Sequence, residues 1–248
     1  MLRLLLLTED TGGDASATQK TLAEKMLRLV AAGCAIERID FATGDKPTRN
    51  DFNAYKSTNK RDYHKKIDLA AAITTHLLRP DIQAFVFVHL DGDRRWSERG
   101  DTASTLCMNR SQFETNIVAR IQEILRQKQR PELIERLLFV LPFYSVESWL
   151  YQNSVELAAI CTEHHPHHER YASLLQSWRE DPSCLDELEQ PKKASSLQDK
   201  YNARLAGSLP ARKVYDLGLS FTATVDALKT CRPLITALET LRYPGSAT

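Results

Sequence analysis

Three short apolar runs, separated by longer stretches with helical periodicity, organise the first part of the chain. The runs are Leu2 to Thr8, Ala84 to Leu90 and Leu137 to Leu141. Runs of this length that are almost entirely apolar are typical of strands that are buried on both faces, as in a parallel sheet. The middle run is rich in Val and Phe, which favour strands, and it leads directly into Asp91-Gly92-Asp93.

The stretches between these runs have the spacing of amphipathic helices. One helix is expected after the first run, with Leu22 and Met26 on its apolar face and an end at Gly33. An edge-like second strand is expected at Ala35 to Ala42, and a polar loop at Thr43 to Lys66. Two more helices are expected at Ile67 to Leu78 and at Ser111 to Lys128. Strands that alternate with helices predict βαβ units and an α/β fold with a mostly parallel, four-stranded sheet.

The pattern changes after Asn153, where helical segments dominate. They are Val155 to Cys161, Tyr171 to Arg179, Leu197 to Leu205 and Thr222 to Leu241. We therefore expect an α/β domain over residues 1–153 and a helical C-terminal extension over residues 154–248 that packs on the sheet.

Composition and charge restrict the class of protein. The 248 residues carry a formal net charge of +1, so any surface that attracts nucleic acid has to be local. The five cysteines are odd in number and lack CxxC spacing, which favours a reducing compartment. The run from Leu2 to Leu7 is too short for a membrane span, and no cleavage site follows it. The sequence thus predicts a cytoplasmic protein that is not bound to a membrane.

Acidic residues follow each of the three apolar runs. Glu9 follows the first, with Asp14 nearby, and Asp91 and Asp93 follow the middle run, whereas Ser145 and Glu147 follow the last. The carboxyl ends of parallel strands share one edge of a sheet, where α/β proteins bind ligands. Each acid could instead cap a helix or favour its dipole. Acids after all three runs favour a cation site, and their hard oxygens suit Mg²⁺ or Mn²⁺.

This ordered set resembles the TOPRIM fold, the metal-binding domain of topoisomerases, bacterial primases and certain nucleases. That family has a Glu after its first strand and an Asp-x-Asp after a later one, which Glu9 and Asp91-Gly92-Asp93 match. Ser145-Val146-Glu147 is similar to the Ser-x-Glu element of the overcoming-lysogenization-defect nucleases and related defence proteins. The resemblance covers Leu2 to Tyr151, and Asp10 stands where the family has a glycine.

The resemblance implies phosphodiester cleavage of DNA or RNA with Mg²⁺ or Mn²⁺ as cofactor, and a role as the effector of a bacterial anti-phage defence system. It implies a TOPRIM-like parallel sheet flanked by helices. The implied metal ligands are Glu9, Asp14, Asp91, Asp93, Ser145 and Glu147. Of these Glu9, Asp91, Asp93 and Glu147 are also implied to be catalytic, with Lys213 as a candidate for the family's downstream basic residue.

Basic and aromatic residues next to the acids are candidates for nucleic-acid contacts. Arg94 and Arg95 could bind phosphate, Trp96 could stack on a base, and Lys60 and Arg61 in the polar loop could follow a backbone. A solvated basic helix start is the commoner meaning of such a loop.

Two other classes of function stay open. The chain could be a non-catalytic TOPRIM-like module that recruits or regulates an ATPase partner, or a phosphatase on an unrelated α/β fold. No Walker-type glycine-rich lysine loop is present, so we expect no NTP hydrolysis by the chain itself. A homo-oligomer is compatible with every alternative. The histidines of the tract from His164 to His168 lack partner cysteines at zinc-finger spacing, and a polar loop is expected there.

Overall fold

Four parallel strands form one sheet with the order β2-β1-β3-β4 in the computed structural model. The structure describes residues 1–9, 14–44, 46–91, 108–142, 145–164, 169–187 and 201–243. The strands are β1 (Leu2–Thr8), β2 (Asp40–Thr43), β3 (Gln83–His89) and β4 (Leu137–Val140). The predicted α/β class, with a parallel four-stranded sheet and helices in the C-terminal region, is confirmed.

Helices flank the sheet and make up the C-terminal region. Before β4 these are α1 (Ala15–Val30), α2 (Lys46–Asp51), α3 (Tyr63–Leu77), α4 (Met108–Phe113) and α5 (Ala119–Gln127), with a π-helical turn over Glu114–Val118 between the last two. After β4 they are α6 (Glu147–Leu150), α7 (Ser154–His164), α8 (Glu169–Glu180), α9 (Cys184–Glu187), α10 (Asn202–Ser208), α11 (Ala211–Asp216), α12 (Ser220–Thr230) and α13 (Arg232–Glu239). Short 3₁₀ helices lie at Ile36–Arg38, Phe52–Lys56, Lys60–Asp62 and Pro131–Arg136.

The strand register aligns the carboxyl ends of three strands. Thr8 at the end of β1 pairs with His89 at the end of β3, and His89 pairs with Val140 at the end of β4. The segments that follow these strands therefore leave the sheet at one edge, as the alternation of strands and helices predicts.

Both faces of the sheet are buried, and the side chains of each strand alternate between these two faces. Leu4 and Leu6 pack in one core cluster with α1 and with helices of the C-terminal region. Leu5 and Leu7 pack in a second cluster with α3 and with Ile121 of α5. We call these the α1 face and the α3 face. The double burial explains why Leu2 and Leu4 to Leu7 are all apolar, whereas the partly exposed Arg3 pairs with Asp40 of β2.

The predicted polar loop between the second strand and the third helix is largely helical. Phe52 and Tyr55, three residues apart on a 3₁₀ helix, are fully buried on the α3 face. Two aromatic residues among polar ones give no long periodic signal, so the sequence pattern did not reveal this helical turn.

Two other predicted elements have different bounds. The second strand is shorter than predicted, because Ile36 and Ile39 are buried from a 3₁₀ turn that precedes β2. The expected helix from Thr222 to Leu241 is divided at Cys231 into α12 and α13, since Pro233 stands in the first turn of the second helix, where proline is favoured.

The hydrophobic core is continuous between the sheet and the C-terminal helices. The cluster on the α1 face joins Leu6 and Phe87 of the sheet to Phe221, Leu228 and Leu238. Among the described residues, no helix is long and apolar enough to cross a membrane.

Candidate functional site

Polar side chains gather where β1 and β3 end. The Thr8 hydroxyl oxygen lies 2.9 Å from Nδ1 of His89, its register partner. Nε2 of His89 lies 3.8 Å from Oδ1 of Asp91, which is ion-pair distance but longer than a hydrogen bond. His89 is 2% exposed. Thr8, His89 and Asp91 thus form a row of polar side chains at the sheet edge, next to the apolar core. The sequence pattern missed His89, because a lone histidine inside an apolar run gives no signal of chemistry.

Backbone hydrogen bonds fix Asp91 where the chain leaves the sheet. Its carbonyl accepts a hydrogen bond at 3.0 Å from the side-chain amide of Asn109, near the start of α4. Leu90 before it donates its backbone N–H to the carbonyl of Val140 at 3.2 Å. The strand geometry thus extends past the last residue of β3 and fixes where Asp91 leaves the sheet.

The carboxylate of Glu9 is bound on the α3 face. Its Oε1 accepts a hydrogen bond from the Tyr55 hydroxyl, and its Oε2 lies 2.8 Å from the Lys56 ammonium. Its backbone carbonyl accepts from the Asn53 side chain at 3.2 Å. The side chain of Glu9 is only 8% exposed, so these contacts replace the water that a carboxylate otherwise needs.

Glu9 and Asp91 therefore follow neighbouring strands but turn to different sides. The side chain of Glu9 points to the α3 face, as those of Leu5 and Leu7 do. Asp91 instead lies beside His89, whose side chain points to the α1 face, as that of Phe87 does. The register brings the two acids to one edge, and strand alternation separates their carboxylates.

Glu147 is a buried acid and not a solvated first-turn residue. It is the first residue of α6 and 2% exposed, and its Oε1 accepts a hydrogen bond at 2.7 Å from the Asn202 amide in α10. Val146, and not Ser145, precedes α6 as its N-cap. The Ser145 carbonyl accepts from the backbone and the hydroxyl of Ser148. Fifty-five positions separate Asn202 from Glu147, so no local pattern could have found this contact.

Two buried polar groups on α1 lack hydrogen-bond partners within the described ranges. The Thr18 hydroxyl and the Gln19 side-chain nitrogen belong to residues that are 2% and 5% exposed, and neither has a partner in the described part of the chain. Gln19 lines a small cavity together with His89 and Val140. Unsatisfied buried groups are uncommon in folded proteins and call for an explanation, such as a functional role or a bound water.

The other predicted site residues lie on the surface or outside the described residues. Asp14 is exposed at the N-cap of α1 and makes no side-chain capping bond there. Lys213 is exposed on α11, in a shallow groove lined by residues of its own segment. Both Lys60 and Arg61 are exposed on the 3₁₀ helix Lys60–Asp62. Those outside the described residues are Asp93, Arg94, Arg95 and Trp96, and residues 165–168 of the histidine tract.

The donor set fits a divalent cation in kind. Glu9, Asp91 and Glu147 offer the carboxylate oxygens that Mg²⁺ and Mn²⁺ bind. Within the ranges that the structure describes, no three His, Cys, Asp or Glu side chains form a group that could hold a metal ion. Metal binding at this edge stays a prediction.

Comparison with known protein families, with curated proteins and with solved structures finds no match to this chain. The resemblance to TOPRIM proteins therefore stays a prediction from the order of the acids in the sequence.

Proposed function

We propose that this chain is a nuclease that cleaves phosphodiester bonds of DNA or RNA with Mg²⁺ or Mn²⁺. The observation that supports this proposal is the register that aligns β1 with β3, so that Glu9 and Asp91 follow adjacent strands at one sheet edge. In a parallel α/β sheet this edge is where ligands bind. Service as an anti-phage effector rests on the resemblance to defence-associated TOPRIM proteins alone.

The chemistry at this edge would use carboxylates and a cation. A divalent ion would stabilise the charge on the phosphate and lower the pKa of an attacking water. In this proposal Asp91 and Asp93 hold the ion, and Glu9 or Glu147 completes its ligands or accepts a proton from the water. The buried His89, whose Nε2 lies 3.8 Å from Oδ1 of Asp91, would in this proposal become an outer partner of the metal ligand by a small approach of the two side chains. Exposed Lys60 and Arg61 supply phosphate contacts, whose loss with rising salt follows from counterion release.

A cleavage assay with labelled DNA and RNA, in Mg²⁺ or Mn²⁺ and in EDTA, tests the proposal. We expect cation-dependent cleavage that falls by about two orders of magnitude or more in Asp91→Ala, Asp93→Ala and Glu147→Gln. Mn²⁺ should rescue Glu147→Gln in part, because it tolerates poorer ligands than Mg²⁺. Asp68→Asn is the matched control, since Asp68 is an exposed acid on α3. Full activity in Asp91→Ala would remove the site from the proposal.

A non-catalytic module that binds an ATPase partner is the second candidate. It is favoured by the finding that Glu9 and Glu147 are both bound by side chains of the same chain, Lys56 and Tyr55 for one and Asn202 for the other. Acids that are already satisfied need no cation for stability. A folded protein that neither binds Mn²⁺ nor cleaves nucleic acid would support this second candidate.

A further inference from the structure

A cleft lies at the amino edge of the sheet, opposite the edge where Glu9 and Asp91 lie. It is bounded by the first residues of β1 and β3, the segment after α3, the 3₁₀ helix Pro131–Arg136 and the residues that follow α13. Its volume of about 520 Å³ is within the range that is usual for small-molecule sites. The charged side chains among its lining residues are three arginines and one aspartate, Arg79, Arg130, Arg136 and Asp81. The lining therefore has an excess of positive charge.

The backbone around the cleft is fixed by hydrogen bonds. Leu2 and Gln83 are register partners in β1 and β3, and the Gln83 N–H donates to the Met1 carbonyl at 3.0 Å. The Arg130 N–H donates to the carbonyl of Leu125 at 2.9 Å, where the chain leaves α5. These bonds hold two sides of the cleft, so a ligand needs to move only the arginine side chains.

Two of the arginines pair with acids of their own segments but retain further N–H donors. A terminal nitrogen of Arg79 lies 3.6 Å from Oδ2 of Asp81, which is ion-pair distance but longer than a hydrogen bond. Nε of Arg130 lies 2.6 Å from Oε1 of Glu132. The four side chains are 40% to 63% exposed, so water screens both pairs. Since a guanidinium has five N–H donors, one carboxylate oxygen leaves others for an anion.

Arg136 is held by an aromatic ring. It is half-buried at the last position of the 3₁₀ helix, and its guanidinium carbon lies 5.6 Å from the centre of the Phe85 ring. The ring attracts the cation but does not neutralise it. Among the described residues, no acid lies within ion-pair distance of this guanidinium. An anion in the cleft would therefore meet a positive charge that these residues do not pair.

Arginines that follow helix C-termini also offset the negative ends of helix dipoles. Arg79 lies two residues after α3, and Arg130 lies three residues after α5. Each helix end is equivalent to about half a negative charge, an effect that falls off within the last turn. Three arginines and one aspartate give the lining a net charge of +2, which exceeds what two helix ends require.

We propose that this cleft binds a small anion with a diphosphate group through Arg79, Arg130 and Arg136. Guanidinium groups match phosphate oxygens in geometry, and three of them offer more donors than a single phosphate group accepts. Inorganic diphosphate and a nucleoside diphosphate share this chemistry. The cleft lies at the other edge of the sheet from Glu9 and Asp91, so this binding site is independent of the proposed nuclease function.

The first test measures binding of inorganic diphosphate by isothermal titration calorimetry, in EDTA so that no divalent ion carries the anion to the other edge. The wild type should bind, and Arg136→Gln should weaken binding about tenfold or more, because it removes a charged hydrogen-bond donor. Arg126→Gln is the matched control, since Arg126 is an exposed arginine of α5 that pairs with Glu123 at 3.0 Å and does not line the cleft. It should leave the affinity unchanged.

The second test removes the acid of the lining instead of a base. Asp81→Asn releases Arg79 and takes away the negative charge that faces the ligand, so it should tighten diphosphate binding about twofold or more. The Asp81 side chain is 63% exposed, so the fold tolerates this change. Asp68→Asn replaces an exposed acid of α3 that does not line the cleft and should have no effect.

The outcomes decide the proposal without the cleavage assay. A wild type that binds no diphosphate, or equal affinities in the wild type, Arg136→Gln and Asp81→Asn, would overturn the site. If circular dichroism shows that Arg136→Gln does not fold, tighter binding by Asp81→Asn supports the site and unchanged binding overturns it. A titration with ADP then distinguishes the two sources of the diphosphate group: tighter binding than inorganic diphosphate supports a nucleotide site, and equal or weaker binding supports a site for inorganic diphosphate.

Discussion

Ser220→Ala should destabilise the protein by removing the hydrogen bond that joins Trp149 of α6 to Ser220 of α12. Trp149 is fully buried, and its indole Nε1 donates to the Ser220 hydroxyl at 2.7 Å. Ser220 is 4% exposed, so water has little access to the bond. The substitution removes the acceptor and leaves the indole N–H buried, which costs about 1–3 kcal/mol of unfolding free energy. For a chain of this size that corresponds to a fall in Tm of about 2–12 °C.

A double-mutant cycle isolates the bond from other effects of the serine. Trp149→Phe removes the N–H, so Ser220→Ala should then cost much less than in the wild type, and the coupling energy should be about 1–2 kcal/mol. Urea unfolding followed by circular dichroism measures all four proteins. Ser173→Ala on α8 replaces an exposed serine and should change the free energy of unfolding by less than about 0.5 kcal/mol. An equal cost of Ser220→Ala in both backgrounds would refute the reasoning.

Two further predictions concern buried polar groups. Gln19→Met keeps the length of the side chain and removes its buried nitrogen, which has no hydrogen-bond partner among the described residues. It should therefore raise Tm by about 2–8 °C in a thermal melt, while Gln122→Met at an exposed position of α5 should not. A lower Tm would contradict this. Burial lowers the pKa of His76, whose Nε2 lies 3.1 Å from the Phe85 carbonyl. The neutral imidazole is thus favoured in the fold, and its stability contribution is complete above the unfolded pKa of about 6.5 and lost as the pH falls through the folded value. Urea unfolding at pH 7.5 and 5.5 should show a larger loss for the wild type than for His76→Gln, and parallel losses would count against it.

The sheet could be predicted because its signal is local. A strand that is buried on both faces is apolar at nearly every position, so Leu2–Leu7 and Ala84–Leu90 are recognisable without knowledge of their neighbours although they contain Arg3 and His89. The parallel arrangement then follows from the helices between the strands. Glu9 and Asp91 could be found for the same reason, since they lie one and two residues after β1 and β3, whereas Glu147 lies seven residues after β4.

The partners of these acids could not be predicted, because they come from distant segments. Lys56 reaches Glu9 across 47 positions and Asn202 reaches Glu147 across 55. Neither contact leaves a periodic trace in the sequence. Strand alternation could have shown that Glu9 and His89 face opposite sides of the sheet. Glu9 lies two residues after Leu7 and therefore shares its face, whereas His89 pairs with Thr8, which points to the other face.

The C-terminal helices position residues of the candidate site in addition to packing in the core. Asn202 binds the Glu147 carboxylate, the Ser220 hydroxyl binds Trp149 in the same short helix, and Lys25 of α1 donates at 2.9 Å to the carbonyl of Leu209. A helix of four residues such as α6 cannot hold its own position, because isolated helices that short are unstable in water. The orientation of Glu147 therefore depends on contacts from residues after 200. The candidate site at the end of β4 therefore takes its buried acid, Glu147, from the first part of the chain and the partner of that acid, Asn202, from the second.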